Sequence, residues 1–264
     1  MDLQLTGKLA LVTGSTAGIG FAIAAALSQE GAEVIVTGRT QARVEEAVTK
    51  LKTAHPNGRC EGFSADLGTA EGVQAIVQRW PEVDILINNL GIFEPKQFEE
   101  ISDGDWLRFF EVNVLSGVRL SRHYLPHMKA KNGGRIVFIS SESGLQIPVE
   151  MIHYGMTKTA QLAIARGLAE TTTGTNVTVN AVLPGPTASE GVVDFVDKLA
   201  QGQNKSREEI ERDFFEHARP SSILQRFERP EEIAAVVAFL ASPHSSAING
   251  AAIRAEGGVV RSIA

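Results

Sequence analysis

Short apolar runs alternate with helical stretches along almost the whole of this chain. The runs fall at 9–12, 33–37, 60–64, 83–87, 135–141, 176–182 and 249–254. Helical spacing predicts helices over 21–29, 41–54, 73–80, 105–129, 231–241 and from Tyr154 to about 170. Runs that are apolar on both faces fit strands of a parallel sheet, because crossover helices cover both sides of such a sheet. The βαβα rhythm has no linker and no further internal repeat. It argues for an α/β, doubly wound, predominantly parallel sheet in a single domain spanning 1–264. The stretch 188–222 breaks the rhythm. It is polar, with amphipathic pieces at 192–199 and 208–215, and reads as a lid or substrate loop at about 186–222.

Some function classes are disfavoured by composition. A net charge of −6 gives no support to a nucleic-acid or anionic-membrane partner. Cys60 is the sole cysteine, so no intrachain disulfide and no Cys-x-x-Cys metal cluster can form, and no metal site is expected. The start of the chain does not read as a signal peptide, and no apolar run is long enough to span a membrane. The expectation is a cytoplasmic enzyme.

The chemistry sits where runs end. Run 9–12 leads into Thr13-Gly14-Ser15-Thr16-Ala17-Gly18-Ile19-Gly20 and then a helix. Strand, glycine turn and helix form a cradle for phosphate, since glycines admit the ligand and helix-terminal N–H groups face it. A glycine-rich turn with no ligand is the plainer alternative. Ser15 is expected to add a hydroxyl donor. Arg39 follows the second run where dinucleotide folds often place an acid, and no Asp or Glu occupies 37–40. That favours NADP(H) over NAD(H), unless Arg39 merely opens the next helix. Asp66, beside Leu67, could accept from an adenine amino group or cap a helix. Asn88-Asn89-Leu90-Gly91 and Leu183-Pro184-Gly185-Pro186-Thr187 close two further runs. Tyr154 and Lys158, four apart, share a helix face, and an ammonium near a phenol favours the phenolate. Ser141 ends the run before them. Together they suggest a proton-transfer site, with a core tyrosine and a surface lysine as the plainer alternative.

In that order, the Thr13–Gly20 loop, Asn88–Gly91, Asn113, Ser141, Tyr154 with Lys158, and Pro184-Gly185 make the chain resemble the classical short-chain dehydrogenase/reductase family, nearly end to end. The resemblance implies a seven-stranded Rossmann-like sheet with a nicotinamide cofactor at its switch point, and a homodimer or homotetramer. It implies that Tyr154 is the acid in reduction and the base in oxidation, and that Lys158 lowers its pKa and holds the nicotinamide ribose. Ser141 would bind the substrate oxygen, and Asn113 would position a water linking Lys158 to solvent. Gly14, Ser15, Thr16, Gly18, Ile19, Gly20, Arg39, Asp66, Leu67, Asn89, Gly91, Pro184, Gly185 and Thr187 would line the cofactor with Tyr154 and Lys158. The sequence departs from the family's pattern at Leu90 and in Gly155-Met156-Thr157. The expected substrate is a small-molecule carbonyl or alcohol, a ketone or 3-oxoacyl compound, beside Phe93, Gln146, Met151, His153 and Pro186. An NAD-dependent secondary alcohol dehydrogenase and a non-catalytic dinucleotide sensor are the alternatives.

Overall fold

The computed structural model describes residues 1–263. Seven strands form one sheet: β1 (Leu9–Val12), β2 (Glu33–Gly38), β3 (Cys60–Ser64), β4 (Ile85–Asn88), β5 (Gly134–Ile139), β6 (Val177–Pro184) and β7 (Ala252–Ala255). Their order is β3-β2-β1-β4-β5-β6-β7. Every pairing is parallel. The sheet is therefore Rossmann-like and doubly wound, as the alternation predicts.

Successive strand residues serve opposite faces, which explains the unbroken apolar runs. In β1, Ala10 and Val12 enter one core with α1 (Gly18–Gln29), α2 (Gln41–Ala54) and α9 (Pro230–Ala241). Leu11 enters the other, with α3 (Ala70–Arg79), α5 (Ser116–Ala130) and α6 (Ile152–Glu170). The strand order reverses between β1 and β4, so the crevice at their carboxyl ends is where such sheets bind ligands.

The long helix and the last strand depart from the sequence expectation. The helix expected over 105–129 is two helices, α4 (Asp103–Phe110) and α5, joined by a π-helical turn at Glu111–Leu115. At that turn the Asn113 carbonyl accepts from Gln161 Nε2 at 2.6 Å, a bond to another helix. The last strand starts at Ala252 because Asn249 is spent on side-chain bonds, accepting from Val179 N and donating to Thr172 Oγ1. The stretch after β6 holds α7 (Glu190–Gln203), α8 (Arg207–Asp213) and a π turn, Phe214–Ala218. It begins over the glycine loop: Ser189 packs on Gly18, and Glu190 pairs with Arg43 of α2.

Candidate active site

The turn after β1 is built for close approach. Gly14 has φ +61, a conformation that disfavours any side chain. A β-carbon at Gly20 would stand 2.4 Å from the Gly14 oxygen and from Asn89 Nδ2. Asn89 fixes this turn, donating to the oxygens of Thr13 and Gly14 at 2.9 and 3.0 Å, while Thr13 Oγ1 accepts from the Asn89 and Leu90 amides. The β4 turn thus locks the β1 turn across the switch point. Thr16 and Ile19 lie half-buried on it.

Ser15 departs from the expectation of a free phosphate donor. It is fully buried, donates to Val12 O at 2.7 Å and accepts from Thr37 N at 2.9 Å. Its hydroxyl ties β1 to β2, and its backbone N–H donates to Thr37 O at 3.0 Å, so Ser15 shapes the turn rather than facing a phosphate. Arg39 is exposed, with no ion pair among the described residues. Asp66 is exposed and accepts from Gly68 N at 2.9 Å, and the cap of α3 is Thr69 rather than Asp66. The Leu67 side chain belongs to the core.

Around α6 the structure gathers Asn113, Ser141, Tyr154 and Lys158. Lys158 Nζ lies 5.5 Å from the centre of the Tyr154 ring. A β-carbon at Gly91 would stand 3.5 Å from both Asn113 Oδ1 and Lys158 Nζ, so glycine keeps the approach to that pair open. Asn113 is buried, accepting from Ile92 N at 2.7 Å and donating to Ile92 O and Thr157 Oγ1 at 3.0 Å each. Lys158 donates to Ile139 O at 2.9 Å and to Gln161 Oε1 at 3.3 Å. Gln161, through its amide, also joins Lys158 to the Asn113 carbonyl.

Burial, with the nearby Glu142 charge, holds the Tyr154 phenol above its ordinary range, against smaller opposing effects of Ser141 and Arg219. The Lys158 ammonium lies 5.5 Å from the centre of that ring and donates to Ile139 O and Gln161 Oε1. Burial lowers Lys158 itself to about 8, although Glu142 opposes this.

His153 was expected beside the substrate. It is instead fully buried against Phe109 and Trp106, its two ring nitrogens unpartnered, and burial holds its pKa down. Phe93 does face the site, edge-on to Tyr154 at 6.4 Å and 43 % exposed. Gln146 is exposed, and Met151 and Pro186 are half-buried.

Sequence reasoning missed two buried carboxylates. Glu142 follows Ser141 directly and accepts its hydroxyl, the Ser143 amide at 2.8 Å and Arg219 Nε at 3.0 Å. An acid beside the serine was the available signal. Glu228 accepts from Gly185 N at 3.0 Å and Thr187 Oγ1 at 3.4 Å, and its backbone pairs with Pro186 and Ala188. It therefore holds the turn after Pro184.

Burial pushes the Glu228 carboxyl up to about 7, with Glu256 and Glu142 adding to the shift against bonds from Gly185 and Thr187. A raised carboxyl favours the folded state while protonated in both states, below its unfolded value near 4.5. That stability is lost as pH climbs to about 7, by roughly 2–3 kcal/mol. Melting curves should therefore show Glu228→Gln gaining on the parent between pH 5 and 7. Parallel curves across that window would refute the assignment.

A glycine turn at the switch point of a parallel sheet, with serine, tyrosine and lysine gathered beside it, defines a dinucleotide-dependent oxidoreductase. The family model described as short chain dehydrogenase matches residues 8–199. The chain is 55 % identical to the oxidoreductase YvaG of Bacillus subtilis (strain 168), covering all of both chains. It is 33 % identical to the 3-oxoacyl-[acyl-carrier-protein] reductase FabG of Aquifex aeolicus (strain VF5), over 98 % of this chain and 100 % of that one. Among solved structures, L-sorbose reductase from Gluconobacter frateurii, complexed with NADPH and L-sorbose, superposes with a TM-score of 0.94. It is 30 % identical, and all of both chains is covered. The chain belongs to the short-chain dehydrogenase family and is an NAD(P)-dependent oxidoreductase acting between CH–OH and C=O groups. No helix among the described residues is long and apolar enough to cross a membrane.

Proposed function

We propose that the protein reduces a carbonyl of a small molecule with NADPH, as a ketone or 3-oxoacyl-type reductase. The observation that carries this is the convergence of Ser141, Tyr154 and Lys158 beside the opening kept by Gly91. The cofactor supplies the hydride; the protein manages orientation and the proton. Tyr154 delivers a proton to the carbonyl oxygen, and its raised pKa keeps it protonated for that task. Ser141 donates a hydrogen bond to the same oxygen and stabilises the developing charge. Lys158 holds the nicotinamide ribose. Asn113 and Gln161 hold Lys158 from behind. The backbones of Thr16, Gly18, Ile19 and Gly20 take the pyrophosphate, on a turn that Gly14 and Ser15 hold against Thr37. Asn89, Gly91, Pro184, Gly185 and Thr187 line the nicotinamide end, and the Asp66-Leu67 turn takes the adenine. The polar segment 186–222 covers the substrate.

For the cofactor, Arg39 stands exposed and unpaired at the end of β2, suited to a 2′-phosphate. The NADPH complex of L-sorbose reductase supports that choice. Titration should show NADPH binding at least about tenfold tighter than NADH, roughly 1.4 kcal/mol, with Arg39→Asp erasing the preference. Tighter NADH binding would overturn the assignment. A cytoplasmic homotetramer or homodimer completes the reading. Exposed Phe98, Leu107 and Phe110 on and before α4 supply an apolar face for a second copy.

A further inference from the structure

Ser141 has one proton, and in this structure it is given to Glu142 Oε2. Glu142 is 4 % exposed. Its Oε1 takes Arg219 Nε at 3.0 Å, and its Oε2 also takes the Ser143 amide at 2.8 Å and the Ser143 hydroxyl at 3.1 Å. Arg219 reaches on to Glu150 at 3.1 Å. Behind Ser141 thus stands a fixed array of charge, while the Phe93 edge meets the Tyr154 ring. The array reaches the reacting groups through the Ser141 hydroxyl, which Glu142 accepts.

A ketone oxygen only accepts hydrogen bonds. To bind it, Ser141 must turn its proton away from Glu142. A plain ketone offers nothing in exchange, and a buried carboxylate oxygen loses a donor. A hydroxyl on the neighbouring carbon brings its own proton. It can donate to Glu142 while Ser141 turns to the carbonyl, so that Glu142 Oε2 keeps a donor in place of Ser141 beside the Ser143 amide and hydroxyl.

Resting on the reductase reading above, we infer that the substrate is an α-hydroxy ketone and that Glu142 is the residue that reads its hydroxyl. Reduction adds hydride from NADPH to the carbonyl carbon and the Tyr154 proton to its oxygen, leaving a vicinal diol and NADP⁺. Arg219 is a positioning residue that holds Glu142 in place from the substrate segment.

The test uses hydroxyacetone, methoxyacetone and butanone with NADPH. Methoxyacetone keeps an electron-withdrawing oxygen but has no proton to donate. The parent protein should prefer hydroxyacetone to both others by at least about tenfold in kcat/KM, since sites built to bind a hydroxyl reject analogues lacking it. Glu142→Gln offers an amide that both donates and accepts, so it should bring that preference below about threefold with the NADPH dissociation constant unmoved. Equal use of the three by the parent protein, or an unchanged preference in Glu142→Gln, would overturn the inference. The parent preference decides even if the variant does not fold. Reduction of an acetoacetyl thioester with none of the three turned over would keep the reductase reading and reject the hydroxy ketone. Failure to bind NADPH or reduce any carbonyl would reject both.

Discussion

Tyr154→Phe is expected to lower kcat for carbonyl reduction by about 10³-fold while NADPH binding stays within about threefold. The substitution removes one oxygen and keeps the ring that meets Phe93 at 6.4 Å. The hydroxyl meets Ser141 of the site, whereas that of the buried Tyr124 donates to Trp80 O at 2.9 Å and holds the fold. A loss of this size must therefore come from the proton it delivers. Single-turnover reduction with prebound NADPH separates chemistry from binding. Lys158 gives the pH signature: it loses its charge near pH 8, so reduction by the parent protein should decline as pH rises past that value. Turnover by Tyr154→Phe comparable to the parent would remove Tyr154 from the reaction and leave the site without its acid.

The fold was legible because central parallel strands are apolar on both faces and each ends in a turn residue. The catalytic set was legible for a different reason. Its members stand in a fixed order on elements whose ends converge, so order along the chain maps to proximity. Contacts between distant side chains were not legible. The π turn exists because Asn113 O bonds to a helix 48 residues away, and no local propensity announces that. Ser15 was misread because a hydroxyl beside a glycine turn suits a phosphate as well as it suits a neighbouring strand. Only the fold brings Thr37 N to donate to that hydroxyl and Val12 O to accept from it. His153 was placed by its neighbour Tyr154, but one step along a helix turns a side chain by about 100°, here into Phe109 and Trp106. Glu142 was visible as a residue but not as a site, since its cation lies 77 residues further on.

That cation gives the second large effect. Arg219→Met should destabilise the protein by roughly 3–5 kcal/mol, because it strands the Glu142 charge where water does not reach. A drop in melting temperature on the order of 10 °C follows for a chain of this size. Glu150 is 40 % exposed and can turn to solvent when its partner goes; Glu142, at 5 %, cannot. The loss should therefore belong to Glu142. Arg219→Met combined with Glu142→Gln should recover most of it, since removing both charges also removes the desolvation cost. Added salt should change neither result much, as a pair this buried is weakly screened. No loss in the single variant would mean that the pair contributes nothing to the fold. A loss that the double variant fails to recover would place the effect in Arg219 packing, which lies 5.8 Å from the Phe214 ring, rather than in charge. Recovery of stability without recovery of hydroxy-ketone turnover would assign the pair to the substrate, because residues of similar shape without charge then serve the fold as well.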